Sequence, residues 1–221
     1  MTREADGPLP AADALPEGRV LFDGVHAKRG GGIVFDSWHG NVHMPALRAA
    51  LRSGKEARYV SAVRGSMISI FELAPSDDAQ AALRLSVEPP ETVDWLERFI
   101  AVPSTVHRRP DANETGQPGR APIAYPVFFA VPPEGEYEFD HWYDDEHMPI
   151  LLGCKAWLGC RRFRLPGTHP QGWTHMALHD LADVSAIASP EREAARATAW
   201  RERLSANGWF KGDYRVLYKL A

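Results

Sequence analysis

A thirteen-residue phrase occurs twice in this chain of 221 residues, at Phe35–Leu47 and at Phe139–Leu151. Seven positions are identical in the two copies, and three of them form the string His-Met-Pro at His43–Pro45 and His147–Pro149. The offset of 104 residues between the copies also holds downstream of the phrase. A repeat at this spacing predicts an internal duplication, with two structural units of about 100 residues each.

The second half of the chain shows the clearer succession of elements. Apolar and aromatic residues predict a buried strand over Ile123–Val131, and the repeated phrase predicts a helix over 139–152. We expect Asp140 to cap this helix and Pro149 to kink it. Two more strands, a helix and a last strand follow at 156–165, 173–181, 190–204 and 214–220. The order is β-α-β-β-α-β.

The first half shows the same order more faintly. We expect strands at 19–22, 57–63, 67–73 and 105–108, a helix at 36–52 and a helical region that ends near Phe99. The predicted division is a flexible N-terminus at 1–16, a first unit at 17–109, a linker rich in proline and glycine at 110–121, and a second unit at 122–221. The predicted fold class is α+β, with two ferredoxin-like units in tandem.

Composition argues against several classes of function. The net charge of −4 and the pI near 6.1 are not typical of a nucleic-acid-binding protein. No apolar run of about eighteen residues predicts a membrane span, and the N-terminus does not resemble a secretory signal. The two cysteines, Cys154 and Cys160, lack zinc-site spacing. We therefore expect a cytoplasmic protein that acts on a small molecule, without nucleic-acid or membrane partners.

The second copy of the phrase and the strand Cys160–Leu165 after it resemble the first helix and second strand of the EthD-type family. The most specific part is Trp-Tyr-x-x-Glu-His-x-Pro at Trp142–Pro149, and the resemblance covers roughly 17–109 and 122–221. It implies the dimeric α/β-barrel superfamily, in which the antiparallel sheets of two ferredoxin-like units pair as a barrel. That barrel could form within one chain or between the chains of a homodimer. Members include cofactor-free decarboxylases, cyclases, lactone isomerases and monooxygenases, and other branches bind haem.

His147 is the first candidate for catalysis because it matches the family motif and lies beside a helix-breaking proline. Histidine titrates near neutral pH, which suits proton transfer. The alternative interpretation is that its imidazole only bonds a carbonyl freed by the proline. Tyr143 lies four residues earlier on the same helical face, where it could bind the same ligand or line the edge of the core. His175 and His179 share one strand face, although each histidine alone is more often structural.

Other side chains are assigned to substrate binding. Arg162 is expected to bind a substrate carboxylate, and an aromatic wall is expected from Tyr125, Phe129 and Trp173. His179 and Trp142 are further candidates for substrate binding. A second, divergent site could form around His43 and His39. The histidine spacing matches no short metal-binding motif, and we expect neither a metal nor another cofactor.

These residues predict a cofactor-independent lyase or isomerase that acts on a small aromatic, polyketide-like or lactone substrate. Decarboxylation, dehydration or isomerisation would proceed by proton transfer, with His147, Tyr143 and His175 as the catalytic residues. One alternative is a monooxygenase of the same superfamily, either cofactor-free or haem-assisted. Another is a non-catalytic protein that binds a small ligand. We expect the second unit to carry the site, because Tyr143 aligns with His39 in the first.

Overall fold

The computed structural model describes residues 18–28, 36–51, 55–61, 66–74, 77–85, 87–112, 120–167 and 169–220, without the side chains of 95 and 96. It divides the chain into two compact units. Of the described residues, the first unit contains those within 18–102 and 165–172, and the second contains those within 103–164 and 173–220. The predicted N-terminus at 1–16, positions 113–119 of the predicted linker, and Phe35 lie outside the described residues.

The first unit contains an antiparallel sheet and two short helices. Its elements are β1 (Val20–Ala27), helix α1 (Met44–Ala50), β2 (Glu56–Ser61), β3 (Ser66–Glu72), helix α2 (Ala79–Arg84) and the beginning of β4 (Val93–Arg108). Strand β1 pairs with both β3 and β4, and β2 pairs with β3, which gives the order β4-β1-β3-β2. The Asp78 carboxylate accepts a hydrogen bond from the backbone N–H of Ala81 and so begins α2.

Strand β4 corrects the sequence prediction. The expected helix near Phe99 and the separate strand at 105–108 are one continuous strand of 16 residues, and the helix of this region lies earlier, at Ala79–Arg84. Phe99 lies opposite Phe22 of β1, with the two rings stacked at 4.8 Å. The prediction failed because Glu97, an acidic residue, is fully buried in the strand and disguises the alternation of buried and exposed positions.

The second unit has the same order of elements. They are β5 (Ile123–Phe129), helices α3 (Glu136–His141) and α4 (Met148–Leu151), β6 (Trp157–Arg164), β7 (His175–Leu181), helices α5 (Pro190–Arg196) and α6 (Ala199–Ser205), β8 (Asp213–Tyr214) and β9 (Leu217–Lys219). Strand β7 pairs antiparallel with β5 and β6, while β8 and β9 pair with β5. The predicted α+β class and ferredoxin-like order are confirmed.

A π-helical turn precedes the proline in both copies of the phrase, at His39–His43 and at Trp142–His147. In each turn a methionine N–H bonds the carbonyl five residues earlier, Met44 to His39 and Met148 to Tyr143. The proline that follows has no N–H to donate, and its ring would crowd the carbonyl four residues before it. A wider turn relieves this conflict, so the kink predicted at Pro149 takes the form of a π turn.

The helices of the second unit depart from prediction at two points. Asp140 does not cap a helix, because α3 begins at Glu136 and Asp140 lies inside it. The helix predicted over 190–204 is two helices, since Thr198 accepts a hydrogen bond from the N–H of Arg201 and starts α6 afresh. No helix in the described part of the chain is long and apolar enough to cross a membrane.

Each unit has its own apolar core between helices and sheet. In the second unit aromatic side chains dominate, and Trp142 and Trp157 are 2% and 1% exposed. Burying a large apolar side chain contributes about 1.5–3 kcal/mol, so these residues are major contributors to stability. The cores contain, in the first unit, Leu21, Met44, Leu47, Phe71 and Ile100, and in the second, Ile123, Phe129, Phe139, Trp142, Trp157, Leu181 and Leu204.

Candidate functional site

The second unit forms a cavity of about 210 Å³, partly open to solvent, where its helices meet the sheet. Residues from β5, β6 and β7 contribute one side, the π turn and α4 contribute another, and α5, α6 and the segment that reaches β8 complete the wall. The lining consists of aromatic rings, two histidines and three arginines: Tyr125, Val127, Phe129, Trp142, Tyr143, His147, Leu151, Trp157, His179, Arg192, Arg196, Arg201, Phe210, Gly212 and Tyr214.

Three of the lining side chains form a hydrogen-bonded chain. Trp157 Nε1 donates to His179 Nδ1 at 3.0 Å, and His179 Nε2 lies 2.9 Å from Tyr143 Oη. Indole nitrogen can only donate, so Nδ1 of His179 must be the unprotonated nitrogen. A neutral imidazole then carries its hydrogen on Nε2, which donates to Tyr143 Oη. The hydroxyl hydrogen of Tyr143 is left available for another acceptor.

Burial keeps this chain neutral. His179 and Tyr143 are each 1% exposed. Burial lowers the pKa of His179 well below its usual range, because an imidazolium would be poorly solvated there. Burial also raises the pKa of Tyr143 well above 10, since a phenolate would meet the same penalty. Tyr143 therefore acts as a hydrogen-bond donor at neutral pH.

His147 and Trp142 carry polar atoms without partners on the same wall. Within the described residues, His147 Nδ1 and Trp142 Nε1 are buried and make no hydrogen bond. The two rings pack at 4.5 Å between centroids. Buried polar atoms are nearly always hydrogen-bonded in proteins, so an unbonded acceptor and an unbonded donor beside a cavity are suited to a ligand.

The pKa of His147 is lowered to about 3. Burial is the largest cause, and the backbone of Ala195 opposes it. The positive charges of Arg201 and Arg192 lower the pKa further. In the unliganded protein His147 is therefore neutral at pH 7, and it can accept a proton only if something offsets these costs.

Sequence reasoning missed the arginines at this site. Arg192 and Arg196 lie one turn apart on α5, and Arg201 lies in the first turn of α6. The signal was faint, because glutamates flank Arg192 and follow Arg201, and such mixed charge is typical of a solvent-exposed helix face. Only the fold shows that all three line one cavity.

Arg162 does not line the cavity, although the sequence assigned it to a substrate carboxylate. Its guanidinium bonds Asp144 Oδ1 at 2.8 Å and also bonds Asp140. Burial raises the pKa of Asp144, but hydrogen bonds from His107 and Arg162 outweigh this and lower it to about 2. Arg162 is thus neutralised within the protein. It lies over the Tyr143 ring, with 4.7 Å from its guanidinium carbon to the ring centroid, and supports that ring.

The structure separates the other predicted site residues into two groups. His147, Tyr143, His179, Tyr125, Phe129 and Trp142 meet on the cavity wall, whereas His175 and Trp173 are not part of it. His175 Nδ1 lies 2.8 Å from Thr174 Oγ1, and its other nitrogen contacts Arg164. Burial, and then the charge of Arg164, lower the pKa of His175 to about 3. Both nitrogens of His175 therefore contact side chains of the protein away from the cavity.

The second site predicted at His43 and His39 lies in the first unit. His43 Nε2 is 2.7 Å from Asp23 Oδ2, and Arg98 Nε donates to Asp23 Oδ1 at 2.7 Å. Burial raises the pKa of Asp23, but the hydrogen bonds and charges of His43 and Arg98 outweigh this and leave it lowered. Burial, and then His43, lower the pKa of His39 to about 4. His43 is therefore held in a closed internal network.

The described residues contain no group of three or more His, Cys, Asp and Glu side chains placed to hold a metal ion. Cys154 and Cys160 are both buried free thiols. Burial raises the pKa of the Cys160 thiol strongly, which disfavours the thiolate form. Neither cysteine lines the cavity.

No protein-family model and no curated protein matches the sequence. Solved structures do match the fold. An anthrone oxidase-like protein aligns with a TM-score of 0.65 at 11% identity, over 93% of this chain and 92% of that chain. A candidate monooxygenase from Fusobacterium nucleatum gives 0.52 at 10%, over 93% and 94%. Chlorite dismutase from Candidatus Nitrospira defluvii, in complex with imidazole, gives 0.52 at 12%, over 92% and 90%. The similar structures are ferredoxin-like proteins of the dimeric α/β-barrel type.

Proposed function

We propose that this protein is a cofactor-independent acid–base enzyme, a lyase or isomerase, that acts on a small aromatic, polyketide-like or lactone substrate. The observation that carries the proposal is that three residues lining one cavity have polar groups left over: His147 Nδ1 and Trp142 Nε1 are buried without a partner within the described residues, and the hydroxyl hydrogen of Tyr143 is not used by His179. Acid–base catalysis at carbon needs a proton acceptor and a donor to the developing oxyanion, and this wall offers both.

The roles follow from these atoms. His147 removes a proton from a carbon next to the substrate carbonyl and holds it on its imidazole. The electron pair moves onto the carbonyl oxygen, where the Tyr143 hydroxyl and the Trp142 N–H donate hydrogen bonds to the enolate. His147 returns the proton to a different carbon in an isomerisation, or to the departing oxygen in a dehydration. His175, which bonds Thr174 and Arg164, has no role in this scheme.

Trp157 and His179 act behind the reacting groups. The indole N–H of Trp157 fixes the tautomer of His179, and His179 then donates to the Tyr143 oxygen. A phenol that accepts one hydrogen bond becomes a better donor for the next. Trp157 and His179 are therefore positioning residues, and they prepare Tyr143 as an oxyanion donor.

We also propose that the chain belongs to the EthD-type family and arose by tandem duplication. The support is local: both copies of the phrase contain a π turn that ends at a histidine and is followed by Met-Pro. The strand pairing agrees, since Val20 faces Glu72 in the first unit and its counterpart Ala124 faces Asp180 in the second. A duplicated unit keeps such registers, because a slip of one residue would turn each strand over.

A cofactor-free monooxygenase is the second candidate. It is favoured by two similar structures, those of an anthrone oxidase-like protein and of a candidate monooxygenase. Deprotonation of an activated carbon by His147 would be the first step of this reaction as well, with oxygen as a co-substrate. A haem-assisted reaction fits the residues less well. The reason is size, since 210 Å³ is small even beside the roughly 300 Å³ at the lower end of ligand pockets.

Hydrogen–deuterium exchange at carbon tests the proposal before the full reaction is known. Anthrones, cyclic 1,3-diketones and unsaturated lactones are incubated with the protein in D₂O, and NMR follows the loss of C–H signal. We expect at least one compound to exchange faster with the wild type and not with His147→Ala. Oxygen consumption during turnover would favour the monooxygenase. A compound that binds tightly, with no hydrogen–deuterium exchange in any compound tested, would favour a non-catalytic binding protein.

A further inference from the structure

We propose that Arg192, Arg196 and Arg201 form an anion-binding edge of the cavity, so that the ligand is a flat aromatic molecule with a carboxylate or phenolate group. The inference rests on the proposed function, because it names the substrate class of the same site. It also stands as a statement about binding, whatever reaction follows.

The first argument is charge balance. Within the described residues, none of the three arginines forms a salt bridge, while Arg162 and Arg164 contact Asp140, and Arg98 contacts Asp23. Carboxylates are close at hand, since Glu191, Glu193 and Glu202 are neighbours of these arginines in the sequence. The fold nevertheless leaves the three guanidinium groups without an acidic partner on the wall of one cavity.

The second argument is how the arginines are held. Arg192 donates to the Ile187 carbonyl at 2.8 Å and to Tyr125 Oη at 3.3 Å, and Arg201 donates to the Arg196 carbonyl at 3.2 Å. Neutral acceptors fix these two guanidinium groups without cancelling their charge. Each guanidinium has five N–H donors, so most of them remain available for a planar oxyanion.

The third argument is mutual repulsion. Burial, and then the charges of Arg196 and Arg192, lower the pKa of Arg201. The charges of Arg192 and Arg201 also disfavour protonation of His147. An anion bound among the arginines would relieve both effects, and it would make His147 a stronger base only when a ligand is present.

The aromatic part of the lining indicates an aromatic ligand. The rings of Phe129, Trp142 and Phe210 line the cavity, with Tyr125 and Tyr214 beside them. Arg201 packs against the Phe210 ring, with 5.6 Å from its guanidinium carbon to the ring centroid. A flat ring can stack among these side chains while its oxyanion reaches the guanidinium groups. The volume of about 210 Å³ restricts the ligand to a small ring system.

The test compares acids with their neutral amides. Benzoate and 2-naphthoate, with benzamide and 2-naphthamide, are titrated against the full-length protein at low salt, and quenching of tryptophan fluorescence is followed. We expect the acids to bind about 10-fold tighter or more, the effect of one charge-assisted hydrogen bond. Arg196→Gln and Arg201→Gln should each remove most of this preference and leave amide binding unchanged. Equal binding of acids and amides, or no binding of either acid, would overturn the proposal.

Arg203→Gln is the matched control. Arg203 lies on α6 with Arg201, but it is outside the cavity lining and is 3.8 Å from Glu138. If Arg203→Gln weakened acid binding as much as Arg196→Gln and Arg201→Gln do, the acids would be attracted by the general surface charge, and the proposal of a specific anion site would be refuted. Failure of the proposed function can be told apart from failure of the anion site. If acids bind but no compound undergoes hydrogen–deuterium exchange, the reaction is rejected and the anion site stands. If neutral ketones exchange equally well in the wild type and in the arginine variants, the reaction stands and the anion site is rejected.

Discussion

The same sequence phrase produces a closed network in one unit and an open site in the other. In the first unit, His43 bonds Asp23, and the indole of Trp38 donates to the Glu88 carbonyl at 3.0 Å. In the second unit, the corresponding Trp142 Nε1 has no partner within the described residues, and His147 is hydrogen-bonded to the Ala195 backbone instead of to a carboxylate, while Nδ1 is unbonded in both histidines. A repeated motif therefore fixes the helix geometry, and the residues packed against it decide whether its polar atoms are available to a ligand.

One strand position accounts for much of the difference. Asp23 of β1 corresponds to Val127 of β5 in the strand register, because Asp23 faces Ser69 and Val127 faces Ala177. The Asp23 carboxylate bonds His43, whereas Val127 contributes an apolar surface to the cavity wall. The exchange of a carboxylate for an isopropyl group thus removes the charged partner of the histidine, and His147 bonds the Ala195 backbone instead.

The largest expected effect is on catalysis. His147→Ala should lower turnover about 100-fold or more, the range for loss of a general acid or base, with the cavity still able to bind ligand. The matched variant His43→Ala should leave turnover within about 3-fold and lower the free energy of unfolding by about 1–3 kcal/mol, because it removes a buried hydrogen bond to Asp23. Rate measurements and urea unfolding of both variants check this. Equal kinetic losses would mean two working sites.

A transplanted carboxylate should close the open site. In Val127→Asp the new side chain occupies the position of Asp23, so it should bond His147 and also compete for the arginines. We expect turnover to fall about 10- to 100-fold, as it does when a catalytic base is diverted. Val127→Asn is the uncharged control of equal size and should lose less. An active Val127→Asp variant whose His147 NMR signals titrate as in the wild type would contradict the comparison.

A change at the proposed oxyanion donor, Tyr143, should affect catalysis and leave substrate binding almost unchanged. Tyr143→Phe removes the hydroxyl and should reduce kcat about 100-fold while KM changes little, since the hydrogen bond strengthens as the enolate forms. Trp157→Phe frees the His179 tautomer and should reduce kcat less, by about 10-fold, because His179 and Tyr143 remain. Steady-state kinetics of both variants measure the two effects. A larger loss in Trp157→Phe than in Tyr143→Phe would disprove the proposed order of the chain.

The sequence predicted the fold better than the site, for physical reasons. The repeated pattern of apolar positions was enough to predict the order of the strands. Six of the expected binding or catalytic residues line the cavity. Arg162 lies outside the cavity lining and is bonded to Asp140 and Asp144, two partners that could not be paired with a strand residue from spacing alone. The three cavity arginines were missed because a charged helix face does not show which of its charges turn toward an internal wall.

The last effect is in the pH dependence of stability, and it also separates the two histidine environments. His147 has a folded-state pKa of about 3, below the value near 6.5 of an unfolded chain. The unfolded state therefore binds more protons as the pH falls below 6.5, and this histidine lowers the free energy of unfolding progressively down to about pH 3. Its contribution to the slope is at most about 1.4 kcal/mol per pH unit. Asp180, whose pKa burial raises to about 6, acts in the opposite direction between about pH 6 and 4.

We therefore expect the difference in free energy of unfolding between the wild type and His147→Gln to shrink, or to change sign, as the pH is lowered from 7 to 4. Asp23→Asn should behave differently. The pKa of Asp23 is lowered in the folded state, so its stabilising contribution is complete above the unfolded-state value of 3.8 and is lost only as the pH falls through the folded pKa. Its deficit should be constant between pH 7 and 5. Urea unfolding at half-unit pH steps measures both curves. A pH-independent gap for His147→Gln would show that its imidazole is more solvated than its burial implies.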